Sequence, residues 1–155
     1  MYKNIFQILR FHNLILGGLA VIISGYLLNH PFNFLTIICI LIVMIVMAMA
    51  YVMNDYIDIQ SDQINHPHRP LVTKKISYTQ IFYIISILSI LLFILILNIN
   101  YYALLFLLII IFPLTITYNI YFKNIPIVGN LVTSLLLGSI FIFSEITLNN
   151  SSHIL

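Results

Sequence analysis

Five apolar runs, residues 11–28, 34–53, 78–97, 101–118 and 125–143, contain no Asp, Glu, Lys or Arg. Each comes close to the roughly 20 residues an α-helix needs to cross the hydrocarbon core of a bilayer. Lipid offers no hydrogen-bond partners, so a spanning segment must satisfy its backbone internally, and runs of this length do so as helices. The expected fold is all-α: a polytopic transmembrane helical bundle of about five spans, forming one domain over residues 1–155. Composition argues against a soluble alternative. With 62% hydrophobic residues, 6% charged residues and a mean hydropathy of +1.12, the chain lacks the polar residues that would coat a water-facing helical protein. The length and flanks of the first run suit a retained helix rather than a cleaved signal peptide.

The connections differ in character. Residues 29–33 and 98–100 are short, uncharged and rich in Asn, whereas 54–77 is a long polar segment and 119–124 a short one carrying Lys123. Threading the spans alternately puts the N-terminus and both charged connections on one side. All six basic residues, Lys3, Arg10, Arg69, Lys74, Lys75 and Lys123, then share that side. By the positive-inside rule it is cytoplasmic in a multi-pass cell-membrane protein. No basic tract with interleaved aromatics is present, so nucleic acid is not an expected partner.

Acidic residues are scarcer still. Of four in the chain, Asp55, Asp58 and Asp62 fall within eight residues, and Glu145 lies at the opposite end of the bundle. At helical pitch the spacings of three and seven put the three carboxylates within roughly 60° of one another on one face. Crowded carboxylates repel unless a cation or a row of basic groups neutralises them, and Mg²⁺ prefers such oxygen ligands. Acids and bases at one mouth of an apolar bundle suit a metal-bound phosphate or diphosphate attached to a lipid tail. Aromatic faces stabilise a carbocation; Tyr51, Tyr56 and Tyr118 are candidates, and each equally fits an interfacial aromatic belt.

The stretch from Asn54 through Asp55 and Asp58 to Asp62 reads NDxxDxxxD and resembles the first aspartate-rich motif of the UbiA superfamily of intramembrane prenyltransferases. Asn65, Pro67, Arg69, Pro70 and Leu71, followed by Ile76 and Ser77, are similar to the segment after that motif. Tyr118 and Lys123, then Pro126, Gly129 and Asn130, resemble the family's pattern at the next loop. The seven residues from Asp62 to Arg69 look closer to the members that transfer geranylgeranyl chains, in the ether-lipid and chlorophyll branches, than to others.

The resemblance implies Mg²⁺-dependent transfer of a prenyl group, geranylgeranyl by preference, from a prenyl diphosphate to a lipophilic acceptor, with an ether-lipid glycerol phosphate favoured. It implies Asn54, Asp55, Asp58 and Asp62 as metal ligands, Asp55 and Asp58 as catalytic, and Arg69, Lys123 and Tyr118 as diphosphate-binding. Family members have about twice this length, about nine helices and a second aspartate-rich motif. The chain is therefore expected to be an amino-terminal half, ending in a polar tail over residues 149–153, with a second chain as the candidate source of the missing half. Two other readings stay open: an inactive or split-gene fragment, and a small divalent-cation transport protein using the aspartates as its entry site.

Other polar residues have plainer expectations. His66 and His68 are solvated loop side chains, and Cys39 is a lone core thiol. Asn13 and Asn130 each either bond neighbouring helices or line the pocket. The glycines, with Ser134 and Gly138 at small-xxx-small spacing, should allow close helix approach. Pro113 should kink the fourth span.

Overall fold

The computed structural model describes residues 2–149; of the polar tail, residues 150–153 lie outside it. Every regular element among the described residues is helical. In chain order these are α1 (Tyr2–Ile8), α2 (Phe11–Leu27), α3 (Phe34–Ile57), α4 (Ile59–Asn65), α5 (Tyr78–Ile96), α6 (Tyr101–Phe106), α7 (Phe112–Ile120) and α8 (Val128–Asn149). A π-helical stretch, Leu107–Ile111, joins α6 to α7 into one continuous segment, and a 3₁₀ turn, Phe122–Asn124, follows α7. Four helical segments, Phe34–Ile57, Tyr78–Ile96, Tyr101–Ile120 and Val128–Asn149, are long and apolar enough to cross a membrane, and α2 is a shorter apolar helix of 17 residues.

Helix starts follow local chemistry. Asn33 accepts from the Thr36 amide while Thr36 Oγ1 accepts from the Asn33 amide, closing a capping box on α3; Ser77 and Gln80 do the same on α5. Such reciprocal bonds satisfy amides that a helix start leaves open. Asn100 Oδ1 caps α6 through the Ala103 amide, and its Nδ2 reaches the Ile146 carbonyl at 2.7 Å, tying α6 to the far end of α8.

The principal core gathers Val21, Ile38, Ile42, Val43, Leu92, Leu107, Ile111, Ile140 and Phe143 from five segments. α2 packs closely on α3 because Gly17 and Gly18 carry no Cβ. One built at Gly17 would collide with Met47 Sδ, and one at Gly18 would meet Ile40 Cγ2 at 3.2 Å. Gly138 differs from expectation: nothing lies within 4 Å of its Cβ position, so the Ser134–Gly138 spacing marks no helix contact among the described residues. Large apolar side chains cover the outside, among them Phe82, Ile90 and Phe93 of α5. That outward distribution suits a lipid solvent.

Three boundaries depart from the sequence reading. The first half of the polar segment starting at residue 54 is helical: α3 runs on to Ile57, and α4 follows after a break at Asp58 and ends at Asn65. At 24 residues α3 is about 36 Å long, more than the hydrocarbon core is thick. The last helix starts three residues later than expected and ends six later. Ser144 and Thr147 donate to the carbonyls four residues back, at 2.7 Å each, which lets polar side chains continue an apolar helix. Glu145 consequently lies within α8, exposed. At Pro113 the segment accommodates the missing N–H through the preceding π turn.

Candidate functional site

A second apolar cluster, Ile8, Val52, Leu71, Ile76 and Ile81, lies at the charged end of the bundle. It fastens α1, the last turns of α3, the segment after α4 and the start of α5 to one another. Pro70 is fully buried, and its carbonyl accepts from the Lys75 and Ile76 amides, so the residues around Arg69 are held by backbone bonds. A charged constellation is assembled on this platform.

Arg10 links α1 and α2 in the left-handed conformation, φ 51° and ψ 52°. That backbone is unfavourable for a residue with a Cβ. It is offset here by what the side chain reaches: Arg10 Nη2 donates to Asp55 Oδ1 at 2.7 Å, and the guanidinium stacks over the Tyr51 ring, 4.9 Å from its centroid. Asp55, on the last turn of α3, also accepts from Arg69 Nη1 at 3.2 Å. The same Arg69 nitrogen donates to Asp62 Oδ2 at 2.5 Å, so one cationic group stands between two carboxylates. Asp58, at the break between α3 and α4, pairs with Lys123 from the 3₁₀ turn.

Asp55 and Asp62 are 3% and 4% exposed, so their charges depend on these partners rather than on water. Three carboxylates meet three cations, and the constellation is formally neutral. A bound diphosphate would add uncompensated negative charge and so calls for an additional cation.

Beside the constellation opens a cavity of about 360 Å³. Arg10, Tyr51, Asn54, Tyr118 and Asn119 line its polar end, and Ile42, Val43, Leu107, Ile111, Ile140 and Phe143 line its interior. From Asn54 to Ile42 is twelve residues of α3, which gives a run of about 18 Å at 1.5 Å per residue. The three aspartates, Arg69 and Lys123 stand behind the polar end rather than on the wall; Arg10 belongs to both the ion-pair network and the cavity.

The anticipated residues divide accordingly. Asn54 and Tyr118 reach the cavity, and each aspartate meets a basic residue. Asn13 and Asn130, anticipated as helix bonds or pocket lining, are exposed and line no part of the cavity. Asn13 precedes the buried Leu14 by one residue and so turns about 100° from the packed face. Asn130 shares a stripe with Thr133 and Leu137 but lies a turn or more nearer the loop. Tyr56 is exposed and meets Tyr78 edge to face at 5.9 Å, away from the cavity. His66 and His68 are exposed, and among the described residues no three His, Cys, Asp or Glu side chains gather closely enough to hold a metal by themselves.

Sequence reasoning treated Arg10 as a topology signal and overlooked Asn119. The available cues were slight: Arg10 is the one basic residue at the threshold of an apolar run, and Asn119 is an amide next to Tyr118.

Comparison with known proteins agrees with the all-helical fold. Residues 13–151 match the model of the UbiA prenyltransferase family. A protein named digeranylgeranylglyceryl phosphate synthase from Methanococcus vannielii is 34% identical over 152 residues, covering 96% of this chain and 54% of that protein. One of the same name from Methanococcus aeolicus is 32% identical over 155 residues, covering 96% of this chain and 53% of that protein. A solved structure, described as giving structural and mechanistic insights into digeranylgeranylglyceryl phosphate synthase in membranes, superposes with a TM-score of 0.83 at 32% identity. It covers 93% of this chain and 52% of the solved one. The chain thus spans about half the length of the relatives it matches.

Proposed function

We propose that this chain, which belongs to the UbiA prenyltransferase family, supplies the diphosphate-binding half of an enzyme that transfers a geranylgeranyl group from its diphosphate to the hydroxyl of a glycerol-phosphate ether lipid. The observation that carries this reading is the joining of a neutral, tightly paired acid–base constellation to one end of an elongated apolar cavity. The cavity takes the prenyl chain, and the polar end takes its head.

The residues suit Mg²⁺ in the way that ion is commonly held, by one or two carboxylates plus substrate phosphates rather than by a full protein cage. Asp55 and Asp62 already face one cationic nitrogen between them; they would hold the ion, with Asp58 and the Asn54 amide as further oxygen donors. When bound, Mg²⁺ would neutralise charge developing on the leaving diphosphate. Arg69 and Lys123 would turn from their carboxylates toward diphosphate oxygens, with Tyr118 donating from the cavity wall. Those contacts tighten as the allylic carbon–oxygen bond lengthens, and so favour the transition state over the ground state. The apolar walls keep water from the allylic cation, and the Tyr51 ring, already under a guanidinium, offers it a π face.

A second half, from a partner chain or from a longer form of this one, would complete the active enzyme. A cation-transport reading is disfavoured because a cation path has no need of Arg10, Arg69 and Lys123 set against the aspartates. The bases at the charged end favour a cytoplasmic orientation, which cysteine labelling from outside intact cells would test: residues of the 54–77 segment should stay unlabelled.

The decisive experiment is equilibrium binding of geranylgeranyl diphosphate to the purified chain in nanodiscs, with Mg²⁺ or with EDTA. Binding should strengthen with Mg²⁺, and Asp62→Asn should remove the Mg²⁺ response. Absence of any binding, or binding indifferent to both changes, rejects the proposal.

A further inference from the structure

Asn119 is 2% exposed, lies on the cavity wall beside Tyr118, and carries a buried Oδ1 with no hydrogen-bond partner among the described residues. Its Nδ2 donates to the Thr115 carbonyl at 2.9 Å. A carbonyl can only accept, so this bond fixes which end of the amide is which: the NH₂ is tethered to the helix, and the oxygen is left over. A buried acceptor without a donor is costly and uncommon, and its presence at a cavity points to a ligand that completes it.

Chemistry narrows that ligand. An amide oxygen accepts and cannot donate, so it makes no hydrogen bond to an ionised diphosphate, whose oxygens also only accept, and the Mg²⁺ of the reading above is centred on the aspartates, which do not line the cavity. The prenyl chain carries no donor. Nearby hydroxyls do not serve as partners either: Thr133 donates to the Gly129 carbonyl at 3.1 Å and Ser139 to the Leu136 carbonyl at 2.6 Å, both within α8. Of the two substrates in the reading above, on which this inference rests, only the acceptor alcohol brings the missing N–H or O–H.

We propose that Asn119 Oδ1 accepts a hydrogen bond from the free hydroxyl of the acceptor lipid and thereby positions that hydroxyl for prenylation. The reaction forms an ether bond from the hydroxyl oxygen to the allylic carbon. The carbon–oxygen bond to the diphosphate breaks with its electron pair, and the hydroxyl proton passes to the departing diphosphate. Asn119 takes no proton. By engaging the O–H it orients an oxygen lone pair toward the carbon, which lies at the diphosphate end of the prenyl chain beside Arg10 and Tyr118. Holding a nucleophile in such an attitude is a large part of what an active site contributes. It also selects for an alcohol, since a site built around a substrate hydroxyl penalises an analogue lacking it.

The test uses the chain in nanodiscs with three probes: geranylgeranylglyceryl phosphate, its O-methyl ether, which lacks only the donor proton, and geranylgeranyl diphosphate. The alcohol should bind about tenfold more tightly than the methyl ether, the scale of one hydrogen bond to a buried acceptor. Asn119→Leu should bind both lipids equally, and Asn119→Asp, which keeps acceptor oxygens, should retain the preference. Equal binding of alcohol and ether by the unaltered chain, a comparison that requires no variant to fold, overturns the proposal; so does a preference that survives in Asn119→Leu. If geranylgeranyl diphosphate binds while the two lipids are not distinguished, only the role of Asn119 is lost. If none of the three binds, the prenyltransferase reading fails with it.

Discussion

The two ends of the bundle satisfy their polar groups in opposite ways. At one end Asn33, Thr36, Ser144, Thr147 and Asn100 bond mainly to backbone a few residues away, the long reaches being from Asn100 to α8 and from the Cys39 thiol to Ser144. At the other, Arg10 crosses 45 positions to Asp55 and Lys123 crosses 65 to Asp58. Local bonds shape the helices that carry them and need nothing else. Long-range ion pairs impose the desolvation of two charges on the fold, a cost better explained by a ligand that exploits those charges than by stability. On the proposed reading the first end serves folding and the second serves binding.

The largest expected effect comes from Asp55→Ala, which strands the partly buried Arg10 guanidinium and leaves Arg69 with Asp62 alone. Removing one member of a buried ion pair costs about 3–5 kcal/mol, so thermal unfolding in detergent should show a severe loss together with loss of geranylgeranyl diphosphate binding. A mild stability effect would mean that the charged end is less tightly coupled than its geometry implies. Asn100→Ala should cost about 1–2 kcal/mol through the lost α6 cap and the lost tie to α8 while leaving diphosphate affinity unchanged; a change in affinity would break the division between the two ends. Asn33→Ala should cost about 1 kcal/mol, again with ligand binding intact. Smallest of all, Lys74→Ala, at an exposed position with no ion pair among the described residues, should stay within about 0.5 kcal/mol. A clear loss of diphosphate affinity there would show that net positive charge, rather than the specific pairs, holds the ligand.

Much of this arrangement was legible before any coordinates. Helix type and number follow from the length of the apolar runs, and the convergence of Asp55, Asp58, Asp62, Arg69 and Lys123 follows from alternate threading with all bases on one side. What escaped was phase and neighbourhood. Asn13 and Asn130 looked like pocket residues because they are amides in apolar runs, yet which face a helix buries depends on its partners, and an error of one residue rotates a side chain by about 100°. Helical pitch was assumed from Asp55 to Asp62, but the break at Asp58 and the extent of α4 were hidden because Ser, Asp, Asn and Gln compose turns as readily as helices in isolation; the ion pairs to Arg69 and Lys123 go with the observed form.

Sequence alone determined that this protein lives in lipid, that it spans as helices and that all its bases and three of its four acids fall on one side in alternate threading, because each of these follows from hydrophobic length and charge placement without knowledge of neighbours. Only the tertiary structure decided that Arg10 is shared between Asp55 and the cavity, that the aspartates stand behind the wall rather than on it, and that Asn119 keeps an unanswered oxygen. These are relations among side chains far apart in the chain. They are set by how the helices pack and rotate against one another, which no local pattern encodes.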